Sequence, residues 1–307
     1  MLTLLTTAQL LLVSIIVSVT SNLPKAFFSK KVSASPIDVN IYNIIMAFFT
    51  GVTILLINGG FGTFSVYSLI MGIIFGLMCA LQLVTNMKAL EIGPFSYTTV
   101  IISLSAIIPT LSGVLFFGEP AIDVFQYIGI ALMITCILMS GGKKKDDEEK
   151  RISAKWLLLC FASAILNGGI GVFQKIHQAS SHKEEIGVFL ISAFVVSVGY
   201  STFNLLTMSR KPELRAQMKF KPSFFAIALP IFGGISYGTC HVVNLYLSGV
   251  VDAVIFFPLV NLIPFAISTI VATIAFKEKL PLRKWIGIGI GVLSTAFVTG
   301  IVSALFK

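Results

Sequence analysis

Charge is scarce in this chain. Only 11% of its 307 residues are Asp, Glu, Lys or Arg, where a soluble domain carries about 25%. Too little polar surface is present to cover a core, which excludes a soluble enzyme, a nucleic-acid-binding domain and a disordered chain. Cysteine occurs four times, at Cys79, Cys136, Cys160 and Cys240, always inside apolar stretches and without CxxC spacing. That pattern excludes a zinc site or a disulfide framework and reads as small buried apolar residues. The sequence also lacks HExxH, GxSxG, a phosphate loop and a Ser/His/Asp set, so neither an enzyme nor a cofactor or metal is expected. His177 and His182 read as loop residues.

Acids are missing from the middle of every apolar segment. Asp38, Glu91, Glu119, Asp123, Asp252 and Glu278 all sit at segment ends. A proton-coupled cation exporter needs a buried acid, so neutral, zwitterionic or anionic solutes are expected, moved by a facilitator or exchanger.

What is abundant is apolar. Hydrophobic residues make up 56% of the chain, with 26 Phe and 25 Gly, and the mean hydropathy is +0.96. A spanning helix needs roughly 20 apolar residues. That rule predicts ten spans, at 8–30, 37–58, 66–88, 94–117, 123–140, 156–178, 186–207, 224–248, 252–276 and 285–306. The N-terminus lacks a basic leader and a small-residue cleavage site, so its apolar run reads as the first span. The fold class expected is an all-α, multi-pass protein of the cell membrane.

The second half repeats the first. A shift of 145 residues places Ser18 on Ser163, Asn22 on Asn167, Phe28 on Phe173 and Lys30 on Lys175. A shift of 158 places Gly76 on Gly234, Asn86 on Asn244 and Ile128-Gly129 on Ile286-Gly287. Five spans per half is an odd number, so the halves are expected to be inverted repeats, at 1–142 and 156–307, joined by the charged linker 143–155.

Gly118-Glu119-Pro120, with Gly129 nine residues after the proline, resembles the repeated signature of the EamA-like family of the drug/metabolite transporter superfamily. The second copy, Lys277-Glu278-Lys279-Leu280 followed by Gly287, loses the Gly and Pro but keeps the Glu. The resemblance covers essentially the whole chain and implies a 5+5 fold and transport by alternating access. It leaves the substrate open, because the family spans amino acids, sugars, phosphorylated metabolites and cations. A lipid-linked sugar flippase and a phosphorylated-sugar or nucleotide-sugar exchanger remain alternatives.

The formal charge is +9, and 19 of the 22 basic residues lie near odd-numbered connections. The positive-inside rule then puts both termini outside, whereas the resemblance implies cytoplasmic termini. Expected partners are a small-molecule substrate and membrane lipid, with no nucleic acid. A monomer and a homodimer are both compatible with the sequence.

Polar residues inside apolar spans must face protein or a wet cavity. Asn167 lies about 16 Å into span six at the helical rise, near the midplane of a ~30 Å core. It precedes Gly168-Gly169, and its mate Asn22 precedes Pro24, so both amides stand beside a weak point in their helix. Gly234, Tyr237, His241 and Asn244 share one face of span eight, and Gly72, Gly76, Cys79, Gln82 and Asn86 share one face of span three. Asn261 lies between Pro258 and Pro264, which implies a bent helix with freed carbonyls. Asn22, Gln82, Asn86, Asn167, Tyr237, His241, Asn244 and Asn261 are therefore the candidate substrate-binding set. Lys30 and Lys175 are candidate gate or charge residues, each drawing an anion to one mouth of the cavity or simply anchoring its helix.

Overall fold

The computed structural model describes residues 6–32, 35–93, 98, 101–102, 104–120, 122–140, 153–216, 218, 220–276, 282–298 and 302. Its helices are α1 (Thr7–Phe27), α2 (Pro36–Asn58), α3 (Val66–Ile92), α4 (Ile107–Phe116), α5 (Val124–Ser140), α6 (Ala154–Ala179), α7 (Ile186–Ser209), α8 (Phe224–Val250), α9 (Ala253–Phe276) and α10 (Leu282–Val298). A single turn at Pro212–Arg215 precedes α8, and a π-helical turn at Phe28–Val32 prolongs α1. Among the described residues there is no strand.

Hydroxyl residues set the helix starts. Thr6 opens α1 with a capping box shared with Gln9. Ser35, Ser65, Ser153 and Ser223 each accept a hydrogen bond from the backbone amide three residues on, at 3.1–3.2 Å, and so open α2, α3, α6 and α8. Gly59, with φ of 71°, ends α2 in the left-handed conformation.

Helices α1 with its π turn, α2, α3, α6, α7 and α8 are each long and apolar enough to cross a bilayer, with mean hydropathy of 1.4 to 2.1 over their best windows. Helix α4 and the described parts of α5 and α9 are apolar but shorter. Large apolar side chains cover the outer surface: Phe224 is 88% exposed, Phe116 78% and Leu56 74%. Water would not tolerate such a surface on a monomer, and lipid does. The chain is an α-helical, multi-pass membrane protein.

Packing follows small residues. Gly72 and Gly76 of α3 lie against the carbonyls of Phe189 and Ala193 on α7, and Gly234 and Gly238 of α8 lie against those of Met46 and Thr50 on α2. Beside these contacts Phe75, Phe189 and Phe194 pack with Val242 and Leu245 in a buried core. Helix α1 also packs on α8 and α9, α3 on α6, α4 on α6 and α9, and α5 on α10. Contacts gather at two ends. At one, Lys30 donates to the Gly93 carbonyl at 3.0 Å and the Trp156 indole N–H donates to the Thr98 hydroxyl at 3.1 Å. At the other, Ser65 bonds to Glu185 and Lys175 pairs with Glu119.

Several expectations need correction. Helix α1 runs through Pro24 to Phe27, and α6 runs unbroken through Gly168 and Gly169. The glycines are contact points, not breaks: a side chain at Gly168 would meet Ile108 and the Ser105 carbonyl. Helix α9 runs across Pro258 and Pro264, a continuity compatible with the expected bend. The predicted span 94–117 contains a 3-10 turn at Leu104–Ala106 directly before α4, and its residues 94–97, 99–100 and 103 lie outside the described residues. The shared face on α3 splits, its glycines turning to α7 and its amides inward. Residues 143–152 of the linker and 277–281, with Glu278, lie outside the described residues.

Candidate substrate cavity

Five helices enclose a cavity of about 160 Å³, room for on the order of ten waters. Helix α1 contributes Ser18, Asn22 and Lys25, spaced i, i+4 and i+7 along one face. Helix α3 contributes Gln82 and Asn86, and α6 contributes Asn167 and Gln174. Helix α8 adds Tyr237, His241 and Asn244, and α9 adds Asn261 with an apolar wall of Phe256, Phe257 and Val260. All eight polar residues selected from the sequence thus line one space.

Part of this lining is held by the protein itself. The Asn167 amide donates to the Ser105 hydroxyl at 2.7 Å and to Asn261 Oδ1 at 3.5 Å. Asn261 Nδ2 donates to the Phe257 carbonyl at 2.7 Å, a local bond within α9. Asn244 accepts from Ser14 and donates to Cys240 Sγ at 3.3 Å. Gln82 donates to Ser163 at 3.4 Å. His241 is wedged among Tyr237, Phe194 and Phe75, with ring centres 4.3, 5.3 and 5.5 Å away. Its Nδ1 meets Gln174 Nε2 at 3.4 Å, and its Nε2 is buried with no partner among the described residues.

Two further lining groups lack a hydrogen-bond or ion-pair partner among the described residues. The Oδ1 of Asn86 is buried with no hydrogen-bond partner among the described residues. Lys25 is 3% exposed, and its Nζ stands 4.3 Å from the centre of the Tyr237 ring. Among the described residues no Asp or Glu lines the cavity. Lys25 is not among the residues that the sequence singles out. Its spacing three residues after Asn22 was the available signal.

Lys30 and Lys175 lie outside the cavity. Lys30 caps the last carbonyls of α3 through Gly93. Lys175 forms a buried ion pair with Glu119 and reaches the Val251 carbonyl at 3.5 Å. The other oxygen of Glu119 accepts from the Ala253 amide at 2.7 Å, so the pair ties the ends of α4 and α6 to the α8–α9 turn. Both lysines are engaged by protein groups, Lys175 beside Glu119 in the lining of a second pocket, which fits the anchoring alternative. Some acids near segment ends are buried: Asp38 is fully buried and Glu185 is 8% exposed.

His177 is not a loop residue. It lies in the last turns of α6, fully buried, stacked on Phe189 at 4.3 Å and within 3.2 Å of the Ser68 hydroxyl. His182 does lie in the α6–α7 connection, where it meets Glu185 at 3.0 Å. Hydrogen bonds from Ser65 and Ser68 hold the Glu185 carboxyl down to a pKa of about 2. All four cysteines are free and buried, as their apolar setting predicted.

Among the described residues no cluster of His, Cys, Asp and Glu gathers to hold a metal. What the lining can do is bind: amides, hydroxyls and one cation face a small space that Phe256 and Phe257 also line. No family model and no curated protein matches this sequence. Solved structures do match, and one described only as "Crystal structure of protein" aligns over 98% of this chain and 99% of that chain with a TM-score of 0.64 and 14% identity. At that identity the likeness is one of fold alone.

Proposed function

We propose that this protein is a transporter of small polar organic metabolites, secondary-active or facilitative, working by alternating access as a drug/metabolite transporter of EamA-like type. The observation that carries the reading is the convergence of both members of two repeat-related pairs, Asn22 with Asn167 and Asn86 with Asn244, on one cavity. A buried polar chamber between helices is costly in a membrane protein unless it is used.

Further relations support ten spans in two inverted repeats. Helices α3 and α8 are both 27 residues long and both begin after a capping serine. The mates Lys30 and Lys175 reach the carbonyls of Gly93 and Val251, which correspond under the same 158-residue shift that aligns Asn86 with Asn244. The Glu119–Lys175 pair is then the closed gate at one end of the cavity. The charge distribution puts that end outside the cell and the linker 143–155 in the cytoplasm.

Accessibility tests this without a known substrate. A single cysteine replacing Ser21, in a background with the native cysteines substituted, should react with an impermeant thiol reagent from both faces of the membrane. Cross-linking cysteines placed at 119 and 175 with a short bifunctional reagent should abolish labelling from the face that bears them. Labelling from one face only, whatever the gate's state, would contradict alternating access. Cysteines placed in the linker should stay unlabelled in intact cells.

A further inference from the structure

We propose that the cavity binds a net anionic solute through a compact oxyanion, a carboxylate or a phosphate, docked on Lys25. This rests on the transporter reading above and names the substrate class of the same site. Lys25 is 3% exposed and lines the cavity from α1, beside Asn22 and across from Tyr237 on α8. Among the described residues the ion pairs are Lys175–Glu119 and His182–Glu185, both away from it. Among the described residues its ammonium faces the Tyr237 ring at 4.3 Å and lies near the thiols of Cys79 and Cys240, and the ring carries partial rather than full negative charge.

A buried cation without a counter-charge is a cost that a bound anion removes. The surroundings fit such a group. Asn22 and Asn86 line the same space, and each amide brings two N–H donors to a site whose acceptors are otherwise neutral. With no carboxylate in the lining among the described residues, a cation has nothing there to balance it and would be repelled by Lys25. The same absence disfavours a zwitterion, whose ammonium would lack a partner. Phe256, Phe257 and Val260 line the same cavity, so the solute carries a short carbon skeleton beside its charged group.

The test is binding to purified full-length protein in detergent, read as thermal stabilisation across millimolar concentrations of four probes. These are succinate, glycerol 3-phosphate, glycerol and putrescine. At least one of the two anions should stabilise the wild type in a saturable way, and which of them does so separates a carboxylate from a phosphate ligand. Glycerol and putrescine should not. Lys25→Gln should weaken the effective anion by about tenfold or more, while Lys25→Arg retains it. Stabilisation by putrescine or glycerol equal to that by the anions overturns the proposal, as does the absence of any effect from both anions. The wild-type panel alone decides this if Lys25→Gln fails to fold. Anion binding without flux in vesicles would sink the transporter reading and leave this site standing, whereas flux of a neutral solute would do the reverse.

Discussion

Lys25 and Tyr237 meet across the α1–α8 interface, the ammonium 4.3 Å from the ring centre. The ring also touches His241 and Phe194, so it supports both the cation and the aromatic cluster behind it. Tyr237→Phe keeps the ring and should cost no more than about 1 kcal/mol of stability, the value of one hydroxyl hydrogen bond. Tyr237→Leu loses the cation–π and aromatic contacts together and should cost about 2–3 kcal/mol. Thermal unfolding in detergent separates the two variants. Equal losses would mean that the ring does not support Lys25.

The Glu119–Lys175 pair is buried on both sides, with side chains 9% and 11% exposed. Breaking such a pair leaves an uncompensated charge, so Glu119→Gln and Lys175→Gln should each destabilise by about 3 kcal/mol. Removing both charges should cost less than either single change. A double-mutant cycle on denaturation free energies measures this coupling. Additive losses would show that the two side chains do not interact.

The close approach of α3 to α7 depends on Gly76. A methyl group there would strike the backbone of Ala193, which cannot move without shifting the whole helix. Gly76→Val should therefore destabilise by about 1–3 kcal/mol or more, whereas the same change at Gly199, where no neighbour lies within 4 Å, should be tolerated. Comparing the two melting temperatures checks the helix contact directly.

Glu185 predicts an acid limit for the contact between the α6–α7 connection and the start of α3. Its carboxyl titrates at about 2 in the folded protein against 4.5 unfolded. A depressed folded value stabilises above the unfolded one, and that contribution is lost as pH falls from 4.5 towards 2. The difference in melting temperature between wild type and Glu185→Gln should be constant above about pH 5 and shrink below it. A constant difference down to pH 2 would contradict the assignment.

The polar residues of the cavity were legible because lipid cannot satisfy an amide. Asn22, Asn86, Asn167 and Asn244 each had to face protein or water, and spacing told which shared a face. Lys25 was not legible in the same way. A long cationic side chain near a helix end can reach the interface, and only the packing of α8 shows that this one is enclosed. The Glu119–Lys175 pair was hidden because its partners are 56 positions apart on different helices, joined only when α4 and α6 pack. His177 was misread because polarity rises towards the end of α6, yet the helix continues and Phe189 and Ser68 accommodate the imidazole. The glycines of α6 looked like breaks, because sequence alone does not separate a weak helix from a close contact.

Flux is the most direct test of the account. Proteoliposomes are incubated with a defined mixture of organic acids, phosphate esters, amino acids and sugars, and the trapped solutes are measured by mass spectrometry. A matched preparation carries Asn167→Trp, which fills the cavity without touching the outer surface. The account predicts that at least one solute enters wild-type vesicles faster than empty liposomes and that the cavity-filled variant abolishes this excess. Entry at the same rate with the cavity filled, or no excess over empty liposomes for any solute, would contradict it.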